Sequence, residues 1–539
     1  MKLLPLRLTE KSIDMKHCYL ILILVFFASC KRESSVLAGT KPFLEIFEGK
    51  KIKVDTLLLS KFENKDLVLF YKDNNLETVW QSSEKRKSVL NRLVTSITLG
   101  LEPKDYEIEK LQDFESKIDG LDDLALVEYD ILLSNSLYKY INHLAKGKIN
   151  PKKFYNDYDL KEKIININDV IKNGLNGDNF DTIIDNCKPK QLVYKQLETA
   201  LKILDAMPYD HARPMTFGAK SKIKPNENTA LIVPIKRRLM FWNYLKKSDT
   251  ISKVYDKKTI LAVKAYQVNN GLLADGIIGK STVNALNYNK AERREQIVAN
   301  LERWRWFPDD FGAHYTIVNI PSYTLNIVKD NDTVQNYKVI VGKFERRSPV
   351  FQSKLNQVIL NPTWTVPPTI IKEDLIPDAT KSRRYFGRMR ITIFDRKKNK
   401  INPYKWNPEK ANNYSYVQDP GKNNSLGQMK IIFPNKFAVY LHDTNHKTGF
   451  SRNSRSLSSG CTRVENPLGL VEYVLNDSIK WNRVKIDEKI AAKKTFPINI
   501  PQVINHYQLY YTAWLDKNRL IFREDTYDLD FELYCKLRQ

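Results

Sequence analysis

Residues His314–Lys343 read HYTIVNIPSYTLNIVKDNDTVQNYKVIVGK. Apolar and polar side chains alternate along this stretch, and a period of two is that of strands with one buried face. The Asp330-Asn331-Asp332 tip has turn chemistry, so a β-hairpin is expected there. NQVILNPTWTVPP (356–368) and KFAVYLH (436–442) continue the β pattern, and INHYQLYYTAWLDKNRLIFREDTYDLD (504–530) returns to it. A mainly-β domain is therefore expected over 291–539. Within it, the stretch from Pro367 to Gly427 is rich in Lys, Asn, Pro, Tyr and Trp. It is too long for a structureless loop in a compact domain, and 367–427 is expected to form a capping subdomain.

Upstream the period changes. Leu126, Tyr129, Leu133, Leu137, Tyr140, Ile141 and Leu144 fall at steps of three and four, which predicts a helix that Gly147 and Pro151 stop. Residues 41–225 read as a helical scaffold. Over 226–290, Pro234 opens a helix with Ile235, Leu239 and Trp242; a second helix lies in TILAVKAYQVNNGL, and DGIIGKSTVNALN follows. The GKS there is no phosphate loop, because position 274 is Ala274 and no apolar strand precedes it. Gly276 and Gly279 turn the chain, and Thr282 is expected to start a helix with Val283, Ala285 and Leu286. The whole is an α+β multidomain chain.

At the N-terminus, Met15, Lys16 and His17 precede an apolar run from Tyr19 to Phe27, then Ala28, Ser29 and Cys30. That order describes a secretory signal over 1–30, with Met15 a plausible true start. The run is too short to span a bilayer. KRESSVLAGT (31–40) lacks periodicity and reads as a tether. The 539 residues carry 87 Lys+Arg against 62 Asp+Glu, a net charge of +25, which points to an acidic partner. The basic residues are spread out, with no zinc-finger spacing or basic zipper, so nucleic acid is not the expected partner. Five cysteines are too few for a disulfide framework at this size. Cys187 and Cys535 are left open between pairing and freedom.

The chemistry concentrates in VYLHDTNHKTGFSRNSRSLSSGCTRVENP (439–467). In a strand, Phe437, Val439 and Leu441 take one face, and Tyr440 and His442 the other. Cys461 follows two serines and Gly460, a bend that exposes a thiol and offers backbone N–H groups. Arg463 adds a fixed positive charge two residues on. A cysteine nucleophile needs a neighbouring imidazole to lower the thiol pKa and carry its proton, and N–H groups to hold an oxyanion. Zinc is the weaker reading: His442, His446 and Cys461 lack a glutamate, and the HDTNH spacing sits on a strand and turn instead of a helix.

HDT followed by SSGCTRV resembles the signature of the L,D-transpeptidase catalytic domain. NLERWRWFP, VGKFERRSPVF, LNPTWTVPP, PGKNNSLGQMKIIFPN, GLEPKDY and GKINPKKF resemble its large, three-domain periplasmic type. AVKAYQ…GL…DG.IG..T..AL resembles the small three-helix peptidoglycan-binding repeat. Position 459 is Ser459, where many relatives carry histidine. The resemblance implies that Cys461 attacks the third stem residue's carbonyl in a peptidoglycan tetrapeptide and releases D-alanine. A neighbouring stem's amine then takes the acyl group, giving a 3→3 cross-link; water instead gives an L,D-carboxypeptidase.

It further implies His442 as base held by the Asp443 backbone carbonyl, Gly460 and Cys461 N–H groups as oxyanion hole, and Tyr440, Ser458, Ser459, Arg463 and Trp406 around the substrate. No cofactor or metal is implied, and a carbapenem-type β-lactam would inhibit. Ala28-Ser29-Cys30 resembles a bacterial lipobox, with Phe27 in place of the usual leucine. That implies lipidation at Cys30 and a lipid-anchored periplasmic protein that meets peptidoglycan stems and glycan. The rival readings are another wall cysteine hydrolase and a non-catalytic wall-binding lipoprotein.

Overall fold

The computed structural model describes residues 47–177, 179–217 and 221–539. The expected signal, Cys30 and the tether lie outside the described residues.

The scaffold's main helix, α1 (Asp123–Lys146), starts where Asp122 accepts the Ala125 N–H and ends at Gly147. Its apolar series is buried as the periodicity predicts. Asp130 sits in this core because its carboxylate takes the Tyr71 hydroxyl (2.6 Å) and the Val79 and Trp80 N–H groups (2.9 and 2.8 Å). The scaffold region does not form one core. Residues from Phe47 to Ile184 close on each other, whereas Tyr155–Leu160 and helix α2 (Leu192–Ala206) pack into the core of the β domain.

Helices α3 (Ile232–Phe241), α4 (Lys257–Asn269) and α5 (Lys280–Asn287) enclose a small core of their own. Gly279 caps α5, so this helix begins two residues before the expected Thr282, which is buried inside it. Next comes α6 (Lys290–Trp306), opened by a capping box of Asn289 and Glu292 and buried along most of its length. Its charges are neutralised inside the protein. Arg303 bonds Asp530, and Arg305 bonds Glu302 (3.0 Å), the Leu99 carbonyl (2.6 Å) and Tyr194 (3.1 Å). Through Glu302, which accepts the Ile149 N–H at 2.7 Å, α6 joins the scaffold to the β domain.

The strands of the main sheet, in chain order, are β1 (Tyr158–Asp159), β2 (His314–Asn319), β3 (Thr324–Lys329), β4 (Asp332–Gly342), β5 (Val350–Lys354) and β6 (Gln357–Leu360). The cap contributes β7 (Trp364–Thr365), β8 (Ile391–Phe394), β9 (Lys400–Ile401) and β10 (Ser415–Gln418). The main sheet resumes with β11 (Met429–Ile432), β12 (Leu441–His442), β13 (Ser456–Ser458), β14 (Thr462–Val464), β15 (Phe496–Asn499) and β16 (Asn505–Leu509). Its order is β1-β5-β16-β2-β3-β4-β14-β12-β11-β6-β15, with β13 also on β4.

The β3–β4 hairpin turns where predicted: Asp330 and Asn331 both have positive φ (51° and 70°), the geometry that matches strand twist. The cap is a four-stranded sheet, β9-β8-β10-β7, with short helices around a core that begins at Trp364, slightly before the expected 367. Helix α7 (Asp530–Arg538), which the strand-rich ending did not announce, closes the chain against α6.

Candidate active site

The expected strand through 436–442 is real only at Leu441 and His442. Ala438 takes a positive φ of 54°, so the chain before it is irregular. The face assignment survives this shortening. Leu441 is buried in the main core, while the rings of Tyr440 and His442 lie edge to face, 5.6 Å apart.

Register then gathers the site. β12 pairs with β11 antiparallel, His442 opposite Lys430, and with β14 parallel, His442 opposite Arg463. Residues opposite one another share a face of the sheet, so Lys430, His442 and Arg463 form a row. Cys461 enters two residues before Arg463. Lys430 and Arg463 act electrostatically on both His442 and Cys461, and Tyr440 contacts Cys461 through its hydroxyl and backbone. The nucleophile and base candidates thus lie under the influence of the same two cations.

The turn before Cys461 is braced from within. Ser458 is buried; its hydroxyl donates to the Cys461 carbonyl (2.6 Å) and accepts the Gly460 N–H (3.2 Å). The Gly460 carbonyl accepts from Ser348 Oγ at 2.8 Å. Gly460, expected to offer its N–H to an oxyanion, therefore has both backbone groups engaged, and its φ of +109° suits only glycine. Ser458, expected to orient the site or bind donor carboxylates, shapes the turn. The Cys461 N–H has no partner among the described residues. Ser459 is exposed and accepts from Arg346 Nη1 at 2.8 Å. The same guanidinium binds Asp374 through both oxygens (2.7 and 2.9 Å) and Glu373 at 2.6 Å, which ties the cap to the nucleophile's turn.

One further placement differs from expectation. Trp406 is 3% exposed and belongs to the cap's own core: its Nε1 donates to Tyr416 at 2.7 Å, and Phe386 and Arg383 cover its ring. Large aromatic surface in a small subdomain is spent on that subdomain's packing. A second link between the cap and the site is Trp364, which engages the Tyr440 hydroxyl. His446 is exposed on the loop and, like the rest of the described residues, belongs to no cluster able to hold a metal.

Asp443 is buried. Its carboxylate accepts the Gln428 N–H at 2.9 Å, binds Lys447, and fills the space beside Gly427 that a Cβ would need. Its backbone favours a protonated His442, although His442 Nδ1 is buried without a hydrogen bond.

Electrostatics at the site are dominated by burial. Burial lowers His442 to about 3, with Arg463 and then Lys430 adding to the effect. Burial also pushes the Cys461 thiol up to about 11, against the pull of Tyr440, Arg463 and Lys430. Burial thus favours a neutral thiol and a neutral imidazole at rest over the lowered thiol pKa expected from a neighbouring imidazolium. A dry cleft penalises both charges, and two cations repel a proton on the ring. Cys187 and Cys535 are both free. Lys430, Arg346, Ser348 and Trp364 are site residues that the motif reading left unassigned. Each lies in a quoted segment, but only the sheet register and the turn's hydrogen bonds reveal their places.

With this geometry in place, the similarities to known proteins are specific. Residues 65–201 match a scaffold domain, residues 229–286 a "Putative peptidoglycan binding domain", and residues 313–486 an L,D-transpeptidase catalytic domain. A "Putative L,D-transpeptidase" of Haemophilus influenzae is 33% identical over 241 residues, which is 44% of this chain and 49% of that protein. The chain thus spans about half the length of the curated relative it matches. Among solved structures, the L,D-transpeptidase of Xylanimonas cellulosilytica aligns at 13% identity over 55% of this chain and 100% of its own, with a TM-score of 0.18, too slight an overlap to carry an argument. Three stretches of the chain thus match, in order, a scaffold domain, a putative peptidoglycan-binding domain and an L,D-transpeptidase catalytic domain, the resemblance that its motifs implied.

Proposed function

We propose that this protein is a peptidoglycan L,D-transpeptidase that forms 3→3 cross-links by acyl transfer through Cys461. The observation that carries the reading is the row of Lys430, His442 and Arg463 beside Cys461, inside the segment that matches the L,D-transpeptidase catalytic domain. The protein is proposed to act in the periplasm, anchored by a lipid on Cys30, and to be acylated by carbapenem-type β-lactams.

The neutral resting pair sets the order of events. As Cys461 Sγ bonds the third stem residue's carbonyl carbon, its proton passes to His442, so charge appears only when substrate is present. The negative charge moves from sulfur to the carbonyl oxygen, where the unclaimed Cys461 N–H and the field of Arg463 and Lys430 stabilise it. Collapse breaks the C–N bond to D-alanine, and His442 returns the proton to the leaving amine. The acceptor's amine attacks the thioester, its proton passes through His442 to the departing sulfur, and the thiol is restored. Ser458, Ser348 and Gly460 hold the turn; Arg346 and Trp364 hold the cap against it. The same two cations attract the carboxylate of the leaving D-alanine.

The test is incubation of purified protein with disaccharide-tetrapeptide, read by mass spectrometry, beside Cys461→Ala. D-alanine loss with a 3→3 dimer, absent in the variant, supports transfer. Cleaved monomer alone supports a hydrolase. Turnover that survives in Cys461→Ala refutes the nucleophile.

A further inference from the structure

Where α1 ends, Gly147 turns the chain into the GKINPKKF segment. This segment, the stretch 158–163 and the end of α6 enclose a cavity of about 230 Å³ whose lining includes none of Cys461, His442, Lys430, Arg463 or Tyr440. Its walls are basic. Lys148 is paired with Asp105 (2.6 Å) and Lys163 with Asp309 (2.8 Å). Lys146, Lys152 and Lys161 have no carboxylate partner among the described residues, and the acidic side chain in the lining is Glu162.

Two lining residues, Arg305 (0% exposed) and Trp306 (3% exposed), carry buried donors that bond nothing: Arg305 Nε and Trp306 Nε1. Buried donors without partners are costly and uncommon, and their presence in a cavity asks for an acceptor. Gly147 leaves the space beside the indole nitrogen free of a side chain. Its φ is +89°, and a Cβ there would lie 2.5 Å from Trp306 Nε1.

We propose that this cavity binds an oxyanion, the carboxylate or phosphate of an acidic polymer. The unpaired ammonium groups of the lining supply the charge, and the unpartnered Trp306 and Arg305 N–H groups supply donors. The volume admits one acidic group and its immediate neighbours. Two sources present that chemistry at a cell wall: stem-peptide carboxylates and phosphate-bearing polymers. The wall as source rests on the proposed function; the oxyanion chemistry does not. Filled, the site would grip a strand at the scaffold while the Cys461 cleft works on it, raising the effective concentration of stems there.

The experiment is calorimetric titration of the full chain carrying Cys461→Ala, so that binding is read apart from turnover. The probes are inorganic phosphate and disaccharide-tripeptide, at an ionic strength of about 0.15 M. Saturable binding of either probe, weakened roughly tenfold or more by Lys146→Gln/Lys152→Gln/Lys161→Gln, is the expected result. The tighter probe identifies the source. Trp306→Phe, which removes the indole N–H and keeps a smaller aromatic ring in the same packing, weakens binding independently of the lysines, with melting temperature measured alongside to separate lost packing from the lost donor. Absence of saturable binding for both probes, or binding unchanged in the triple variant, overturns the proposal. A tetrapeptide assay without D-alanine release would leave this titration untouched, so the two readings fail separately.

Discussion

The neutral resting pair makes a prediction that a preformed ion pair does not. With the Cys461 thiol near 11, about 0.03% of it is thiolate at about pH 7.5, against about 10% for a free thiol near 8.5. The difference is roughly 300-fold in reactive species, or about 3 kcal/mol. Alkylation of Cys461 by iodoacetamide, followed peptide by peptide by mass spectrometry, should therefore keep rising to about pH 10 with no plateau near neutrality. Cys187, also pushed up to about 11 by burial, is an internal reference. Because His442 is uncharged at these pH values, His442→Asn should leave the alkylation profile nearly unmoved while abolishing D-alanine release. Removing Arg463 should shift the profile upward, since its charge favours the thiolate. A plateau below about pH 8, lost in His442→Asn, would mean that a thiolate–imidazolium pair exists before substrate arrives, and would falsify the reasoning.

Gly342→Ala places a Cβ 2.2 Å from the Arg346 carbonyl and 2.7 Å from the Ser348 nitrogen; since backbone cannot yield cheaply, a loss of more than about 2 kcal/mol is expected in chemical denaturation, together with loss of turnover. Arg346→Lys keeps the charge but loses the fork shared by Asp374 and Ser459, so turnover should fall about tenfold with a much smaller change in melting temperature. Acid should destabilise the fold. His143, His442 and His506 are buried neutral, at about 4, about 3 and about 3, so the unfolded chain takes up protons first and stability falls as pH drops below about 6.5. Asp130 and Asp530, raised to about 6, act oppositely between about pH 6 and 4, but three larger shifts outweigh two smaller ones. Melting temperature measured from about pH 7 to about pH 4 checks the sign, and His506→Gln should flatten the slope.

The hairpin at Asp330-Asn331 and the series Leu126 to Leu144 were legible because turn chemistry and periodicity are local. The shared face of Tyr440 and His442 was legible for the same reason, even though the strand that carries them has only two residues. What was not legible depends on distant partners. Helix α6 looks like a solvated, charge-rich helix, yet Arg303 and Arg305 are buried because Asp530 and Glu302 neutralise them. Trp406 could face either substrate or cap core, and only Tyr416 and Phe386 decide it. The protonation of Cys461 and His442 follows from how dry the cleft is, which no spacing along the chain encodes.

The same register that builds the site also stabilises the sheet. β12 is held by the Asp443 N–H on the Met429 carbonyl (3.0 Å) and by the Thr462 N–H on the Tyr440 carbonyl (3.2 Å), while Thr462 Oγ1 anchors β14 to Gln508 at 2.8 Å. Slipping β12 by one residue would turn His442 into the core and Leu441 into the cleft. A buried imidazole among aliphatic side chains and a leucine stripped of its packing would each cost on the order of 2 kcal/mol or more. The slip is therefore disfavoured twice over, and a two-residue strand needs no length to hold its alignment. Lys430, His442 and Arg463 stay in one row because Leu441, between Tyr440 and His442, can be buried in only one way.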